Sequence, residues 1–109
     1  MSTVPEPGEV WFVDLGMVGK SRYALVLAAQ TDARLALASV VLITKQFEDT
    51  PYEVTLPRVP WLREQSYINV QSIQPVKFTE FIRKASGKFD ARVIGQVEAA
   101  LKRWLKLYP

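Results

Sequence analysis

Tyr23-Ala-Leu-Val-Leu-Ala-Ala-Gln30 and Leu35-Ala-Leu-Ala-Ser-Val-Val-Leu-Ile-Thr44 are two nearly continuous apolar runs, separated by the polar Thr31-Asp-Ala-Arg34. Each is short for a helix and reads as a buried strand. Outward from this pair, Glu9-Val-Trp-Phe-Val-Asp-Leu15 is rich in β-branched and aromatic residues and sits between Gly8 and Gly16, so it is a third strand. Val4-Pro-Glu-Pro-Gly8 is an extended lead-in, because its prolines cannot hold a ladder of hydrogen bonds. Gly16-Met-Val-Gly19 is a turn or short loop. On the far side, Phe47 to Pro51 is a turn by composition. Tyr52-Glu-Val-Thr-Leu56 alternates apolar with polar, as a half-solvated antiparallel strand does. Pro57 to Glu64 is irregular, and Ser66 to Ile73 is a further strand closed by Pro75. Short strands at this spacing point to a small barrel.

The C-terminal part changes period. Lys77 to Lys84 is expected to form a short helix. Asp90 is placed as an N-cap, and Val93, Ile94, Val97, Leu101, Trp104 and Leu105 then recur at helical spacing, with Arg92, Glu98, Lys102 and Arg103 on the other face. A basic amphipathic helix can lie on a membrane, but Gly95 interrupts the stripe and so small a protein needs this helix for its core. It is read as a lid on the barrel. The expected fold is therefore mainly β with a C-terminal α-helix, and residues 1–109 form a single domain without repeats.

Composition narrows the chemistry. The chain has 109 residues, 49% of them hydrophobic and 23% charged, with a net charge of +3. That describes an ordinary globular protein and mildly favours polyanionic partners. There is no cysteine and no histidine. Disulfides, thiol nucleophiles and imidazole acid–base chemistry are excluded together; a zinc site is not expected, and neither is any other metal or cofactor. The longest strongly apolar stretch, Leu35 to Ile43, is too short to span a bilayer, and the acidic, Pro-rich start is unlike a signal peptide. The expected location is cytoplasmic, with no membrane partner.

Gly19-Lys20-Ser21 looks like the end of a phosphate-binding loop, but Asp14 stands where that pattern needs glycine, and the match fails. Asp14, Glu48 and Asp49 read as solvated turn carboxylates rather than a catalytic pair. The informative residues are Arg22, at the mouth of the second strand beside Lys20 and Ser21, and Thr44, closing the third strand before Lys45 and Gln46. In an antiparallel pair the start of one strand lies near the end of the next, so Arg22 and Thr44 can meet at one rim. A guanidinium fork and a hydroxyl suit a phosphodiester. On spacing alone, the same two residues also read as a surface charge and a β-former. Trp61, in a Pro-bounded loop, reads as a core plug or as an anchor for a partner.

Several segments resemble one family in register. Pro7-Gly8-Glu9-Val10-Trp11-Phe12-Val13-Asp14-Leu15 looks like the first strand of MazF/PemK toxins. Lys20-Ser21-Arg22-Tyr23 and the aliphatics after it resemble the family's Lys-x-Arg-Pro segment, with Tyr23 in place of proline. Leu42-Ile43-Thr44-Lys45-Gln46 is similar to its Ile-Thr-x-Gln strand end, Ser66 to Val76 to its penultimate strand, and Lys84 to Leu107 to its terminal helix. The resemblance implies an SH3-like barrel of the CcdB/MazF/PemK kind that dimerises. It also implies metal-independent cleavage of single-stranded RNA by attack of the 2′-hydroxyl, giving a 2′,3′-cyclic phosphate and a 5′-hydroxyl.

Carried over to this chain, Arg22 and Thr44 are the catalytic residues, and Lys20, Ser21, Gln46, Ser72 and Gln74 line the substrate path. Gln74 stands where the family has a cation. The implied partners are single-stranded RNA, a second copy of the chain, and a cognate antitoxin with an acidic, partly disordered tail. The alternative is a non-catalytic barrel: a CcdB-like binder of DNA gyrase, or an RNA-binding relic.

Overall fold

The computed structural model describes residues 4–32 and 34–107. Ala33 of the polar connection lies outside them. The two apolar runs form β2 (Ser21–Ala29) and β3 (Leu37–Thr44), the centre of a seven-stranded antiparallel sheet. β1 (Val10–Asp14) pairs with β2, and β7 (Phe81–Lys84) pairs with β1. The other edge of β3 is shared. Its first half takes β6 (Gln74–Lys77), and its end takes β5 (Tyr67–Asn69), which in turn pairs with β4 (Glu53–Thr55).

The central runs are unbroken because both faces of β2 and β3 are covered. On one face Trp11, Val13, Ala24, Val26 and Val40 meet Val76 of β6 and Phe81 of β7. β6 lies on β3 and β7 on β1, so the contact of Val76 and Phe81 with one cluster means that the sheet curls round on itself. The 3-10 turn Phe78–Glu80 carries the chain across, from the β3 side to the β1 side. On the other face Val10, Leu25, Val41 and Ile43 pack with Val54 of β4, Ile68 of β5 and the C-terminal helix α2 (Ala91–Leu105). The architecture is mainly β with a C-terminal helix, as the sequence indicates.

α2 begins where Asp90 accepts a hydrogen bond from the Val93 N–H at 3.0 Å, the N-cap arrangement. It ends at Lys106, whose left-handed φ of 57° stops the helix. Val93, Val97 and Ala100 are its buried residues; Trp104 and Leu105, expected on the apolar face, are exposed, and Trp104 meets Tyr52 edge-on with ring centroids 5.2 Å apart. One carboxylate enters the core. Glu9 is 6% exposed. It accepts from the Trp11 indole at 2.9 Å, the Glu6 N–H at 2.9 Å and the Lys84 ammonium at 3.3 Å. Burial pushes this carboxyl up, but the three donors outweigh that and hold it below its ordinary value.

Four expectations are corrected. Lys77 to Lys84 is not a helix but the end of β6, a 3-10 turn and β7, because pairing with β3 and β1 satisfies the backbone while burying Val76 and Phe81. Ser66 to Ile73 is a strand only over Tyr67–Asn69; Val70–Ser72 is a 3-10 turn started by the Asn69 side chain, which accepts the Gln71 N–H at 2.9 Å. Pro75 does not close a strand but sits inside β6, opposite Ser39. Phe78 N–H bonds the Ala36 carbonyl at 2.9 Å, and the alternation back from that bond turns the nitrogen of Pro75 away from β3, where it breaks no ladder bond. Gly16–Gly19, expected as a turn, forms the one-turn helix α1. Lys20 then reverses the chain into β2 at φ 59°.

Candidate active site

Ala24 of β2 faces Leu42 of β3. The same antiparallel register, continued two residues toward the rim, sets Arg22 opposite Thr44. Both residues line a groove of about 440 Å³ together with Phe12, Tyr23, Trp61 and Arg83. Both also line an adjoining hollow of about 230 Å³ with Gln46, Asn69, Gln71 and Ser72. The guanidinium and the hydroxyl thus stand on the ridge common to two hollows, one aromatic and cationic, the other rich in amides.

The Thr44 hydroxyl has a defined polarity. Its oxygen accepts the Gln46 N–H at 3.1 Å, and no acceptor among the described residues takes its O–H, which is free to donate. Ser72 has less freedom: its hydroxyl accepts from the Leu42 N–H at 2.8 Å and donates to the Asn69 carbonyl at 2.7 Å. It clamps the 3-10 turn onto β3 and offers little to a ligand. Gln46 borders the amide hollow directly. Gln74 lies elsewhere, paired with Val40, its amide donating to the Ser72 carbonyl at 3.0 Å, in a separate hollow with Asp14 and Glu80. Gln71, rather than Gln74, joins Gln46 and Asn69 beside Arg22 and Thr44. Lys20 and Ser21 are exposed and line neither hollow.

Of the wall of the larger groove, the sequence singles out Trp61, as a core plug or a partner anchor, and not Phe12 or Arg83. Phe12 meets Tyr23 edge-on at 5.1 Å, Tyr23 meets Trp61 at 5.6 Å, and Trp61 meets Phe89 at 5.3 Å. Arg83 of β7 lies 4.4 Å over the Phe12 ring, a cation–π contact. Trp61 is half-buried against the core and also borders the groove, so it serves as plug and wall at once. Gly87 lets it sit there, since a side chain at that position would start 3.2 Å from the indole nitrogen. Of the charges around the groove, Lys45 and Glu64 pair with each other at 3.0 Å. Arg22, Arg63 and Arg83 have no carboxylate partner among the described residues, which makes the groove an anion-attracting surface. Strand alternation could have found Phe12, which shares a face with Val10; the loop residues Trp61 and Arg63 carry no such signal.

The sequence matches the model of PemK-like, MazF-like toxins of type II toxin–antitoxin systems over residues 6–105. The chain belongs to that family. The fold agrees. A mycobacterial endoribonuclease solved in complex with its cognate antitoxin superposes with a TM-score of 0.80 at 21% identity, over 96% of this chain and 99% of that one. The Mycobacterium tuberculosis toxin MazF-mt6 gives 0.79 at 20% identity, over 93% and 99%. MazF in a MazE–MazF crystal structure from Deinococcus radiodurans gives 0.71 at 22% identity, over 94% and 95%. Comparison with curated protein sequences gives no significant match. For this MazF-like toxin, no helix among the described residues is long and apolar enough to cross a membrane.

Proposed function

We propose that this MazF-like toxin is an endoribonuclease that cuts single-stranded RNA without a metal ion, and that Arg22 and Thr44 carry the reaction. The observation behind this reading is that both side chains border one cationic, aromatic-walled groove. A single-stranded polyanion asks for that combination, cations for its phosphates and ring faces for its bases. The chain has no imidazole or thiol, and no three carboxylates come together among the described residues, so the donor set suits electrostatic catalysis better than a metal centre.

In the proposed reaction the ribose 2′-oxygen forms a bond to the adjacent phosphorus as the bond from phosphorus to the 5′-oxygen breaks. A 2′,3′-cyclic phosphate is left on one fragment, and the departing 5′-oxygen takes up a proton. Charge builds on the non-bridging oxygens during attack. The Arg22 fork neutralises it, and the Thr44 O–H donates to one of those oxygens. The guanidinium fork carries donors only and the Thr44 hydroxyl is used as a donor, so neither group takes the 2′-proton, which passes to water. Most of the acceleration then comes from positioning and preorganised charge. The toxin is read as a homodimer held in check by a cognate antitoxin whose acidic tail lies on the same cations, in line with the antitoxin complexes known for its structural relatives.

The test is cleavage of a mixed-sequence RNA in EDTA, with end analysis of the products. Cyclic phosphates should appear, and Arg22→Ala should lose at least about a hundredfold in rate, the typical consequence of removing one strong transition-state donor. Intact RNA with undiminished binding would favour the non-catalytic barrel. Unchanged cleavage by Arg22→Ala would remove the assigned chemistry.

A further inference from the structure

A hollow of about 640 Å³ lies away from the Arg22 groove, between the edge strand β4 and helix α2. β4 ends the sheet, with β5 as its single partner. The Tyr52 carbonyl accepts the Val70 N–H at 2.9 Å, and the Leu56 N–H donates to the Ser66 carbonyl at 3.0 Å. Alternation along an antiparallel ladder therefore turns the N–H and C=O of Glu53 and Thr55 outward, toward the hollow, where no described residue pairs with them. Natural edges are commonly blocked by a bulge, an inward charge or a covering segment. Among the described residues β4 carries no bulge or covering segment; its three-residue length and the prolines Pro51 and Pro57 limit the open edge to Glu53 and Thr55.

The opposite wall is one stripe of α2: Arg92, Gln96, Ala99 and Arg103. Arg103 donates twice to the Pro51 carbonyl, at 2.9 and 3.1 Å, so it stands at the start of β4 and Arg92 near its end. The contact is to a neutral oxygen and leaves the Arg103 charge uncompensated; Arg92 has no carboxylate partner among the described residues. The two acids that border the hollow are committed inside the protein. Glu53 accepts the Glu48 and Thr50 N–H groups, each at 2.7 Å, and the Thr50 hydroxyl at 3.0 Å. Asp90 caps the helix at 3.0 Å. Eleven helical positions separate the two arginines, about 16 Å along the axis; the first and fifth residues of an extended segment lie on one face about 13 Å apart, a difference that long glutamate and arginine side chains close.

We infer that this cleft takes an extended peptide as an added strand on β4, with an acidic side chain at each end of a five-residue stretch to meet Arg92 and Arg103. Main-chain hydrogen bonds to Glu53 and Thr55 supply the docking, and the two arginines set the preference for acidic ends. The site is distinct from the RNA groove and does not depend on cleavage.

The test uses the full chain and a capped Glu-Val-Thr-Val-Glu peptide, followed by NMR titration and amide exchange. The Glu53 and Thr55 amides should gain protection as the peptide is added. A peptide N-methylated at its central amides should bind at least about tenfold more weakly, and Gln-Val-Thr-Val-Gln or the Arg92→Glu chain at least about fivefold more weakly. Affinity indifferent to N-methylation, protection at other amides, or concentration-dependent pairing of this edge with a second copy of the chain would each overturn the assignment. RNA cleavage, measured in parallel, should be the same with and without the peptide. Loss of cleavage in the unliganded chain would count against the ribonuclease reading and leave the peptide result standing.

Discussion

In the proposed reaction Thr44 is suited to donate because its oxygen already accepts the Gln46 N–H. A hydroxyl oriented in that way stabilises negative charge that develops late, so its loss should appear in kcat rather than in KM. Thr44→Val keeps the β-branched shape and should lower kcat roughly a hundredfold, while Thr44→Ser should retain most of the activity. Equal rates for wild type and Thr44→Val would exclude the donor role. Glu9 makes a separate prediction about stability. Folding holds its carboxyl below the ordinary value of 4.5, so its ionised form contributes stability that is present above that value and is lost as pH falls through the folded-state pKa. Glu9→Gln should therefore unfold with a shallower pH dependence below about pH 4.5 in a denaturant series. Glu53, also held low by the Glu48 and Thr50 N–H groups and the Thr50 hydroxyl against its burial, keeps the remaining slope from vanishing.

Among the elements, those with a strong local signal were legible in advance. β2 and β3 announce themselves by unbroken apolar runs, and α2 by its period and its cap. Asp90→Ala should cost about 1 kcal/mol of stability, read as a shift of the denaturant midpoint at unchanged slope; an unmoved midpoint would show that the cap contributes nothing. The segments misread were those whose state is decided by a partner far along the chain. Lys77 to Lys84 has helix-compatible residues, yet the strands on either side leave two open edges that this segment alone can reach. The same limit applies to the site. Arg22 and Thr44 were accessible because they end adjacent strands, so strand register alone places them. Gln71, not Gln74, faces them because a 3-10 turn interrupts the expected strand and changes which side chains point outward. Arg83 and Trp61 come from β7 and an irregular loop, and nothing local in the sequence ties either to β1 or β2.

For the molecule as a whole, the unpaired cations at the groove should govern how binding responds to salt. Affinity for a non-cleavable single-stranded oligonucleotide should fall with salt, and Arg83→Ala should reduce the slope of log K against log salt by about 0.7, the counterion-release value per contact for single strands. Lys77→Ala, on β6 outside the groove, should leave that slope alone; an equal change in both variants would point to diffuse attraction rather than a track. Burial of both faces of β2 and β3 has a further consequence for the identity of the folded state. In a half-exposed strand, sliding by one residue throws apolar side chains into water and is strongly opposed. Here a slide of β2 against β3 exchanges one apolar set for another, so water offers little resistance. Alignment must instead come from the fit of small Ala24 and Ala38 against larger neighbours, and from the irregularity between Val26 and Ala28. A substitution that enlarges Ala24 can thus yield a compact, β-rich molecule in which Arg22 faces Ile43 or Lys45 rather than Thr44.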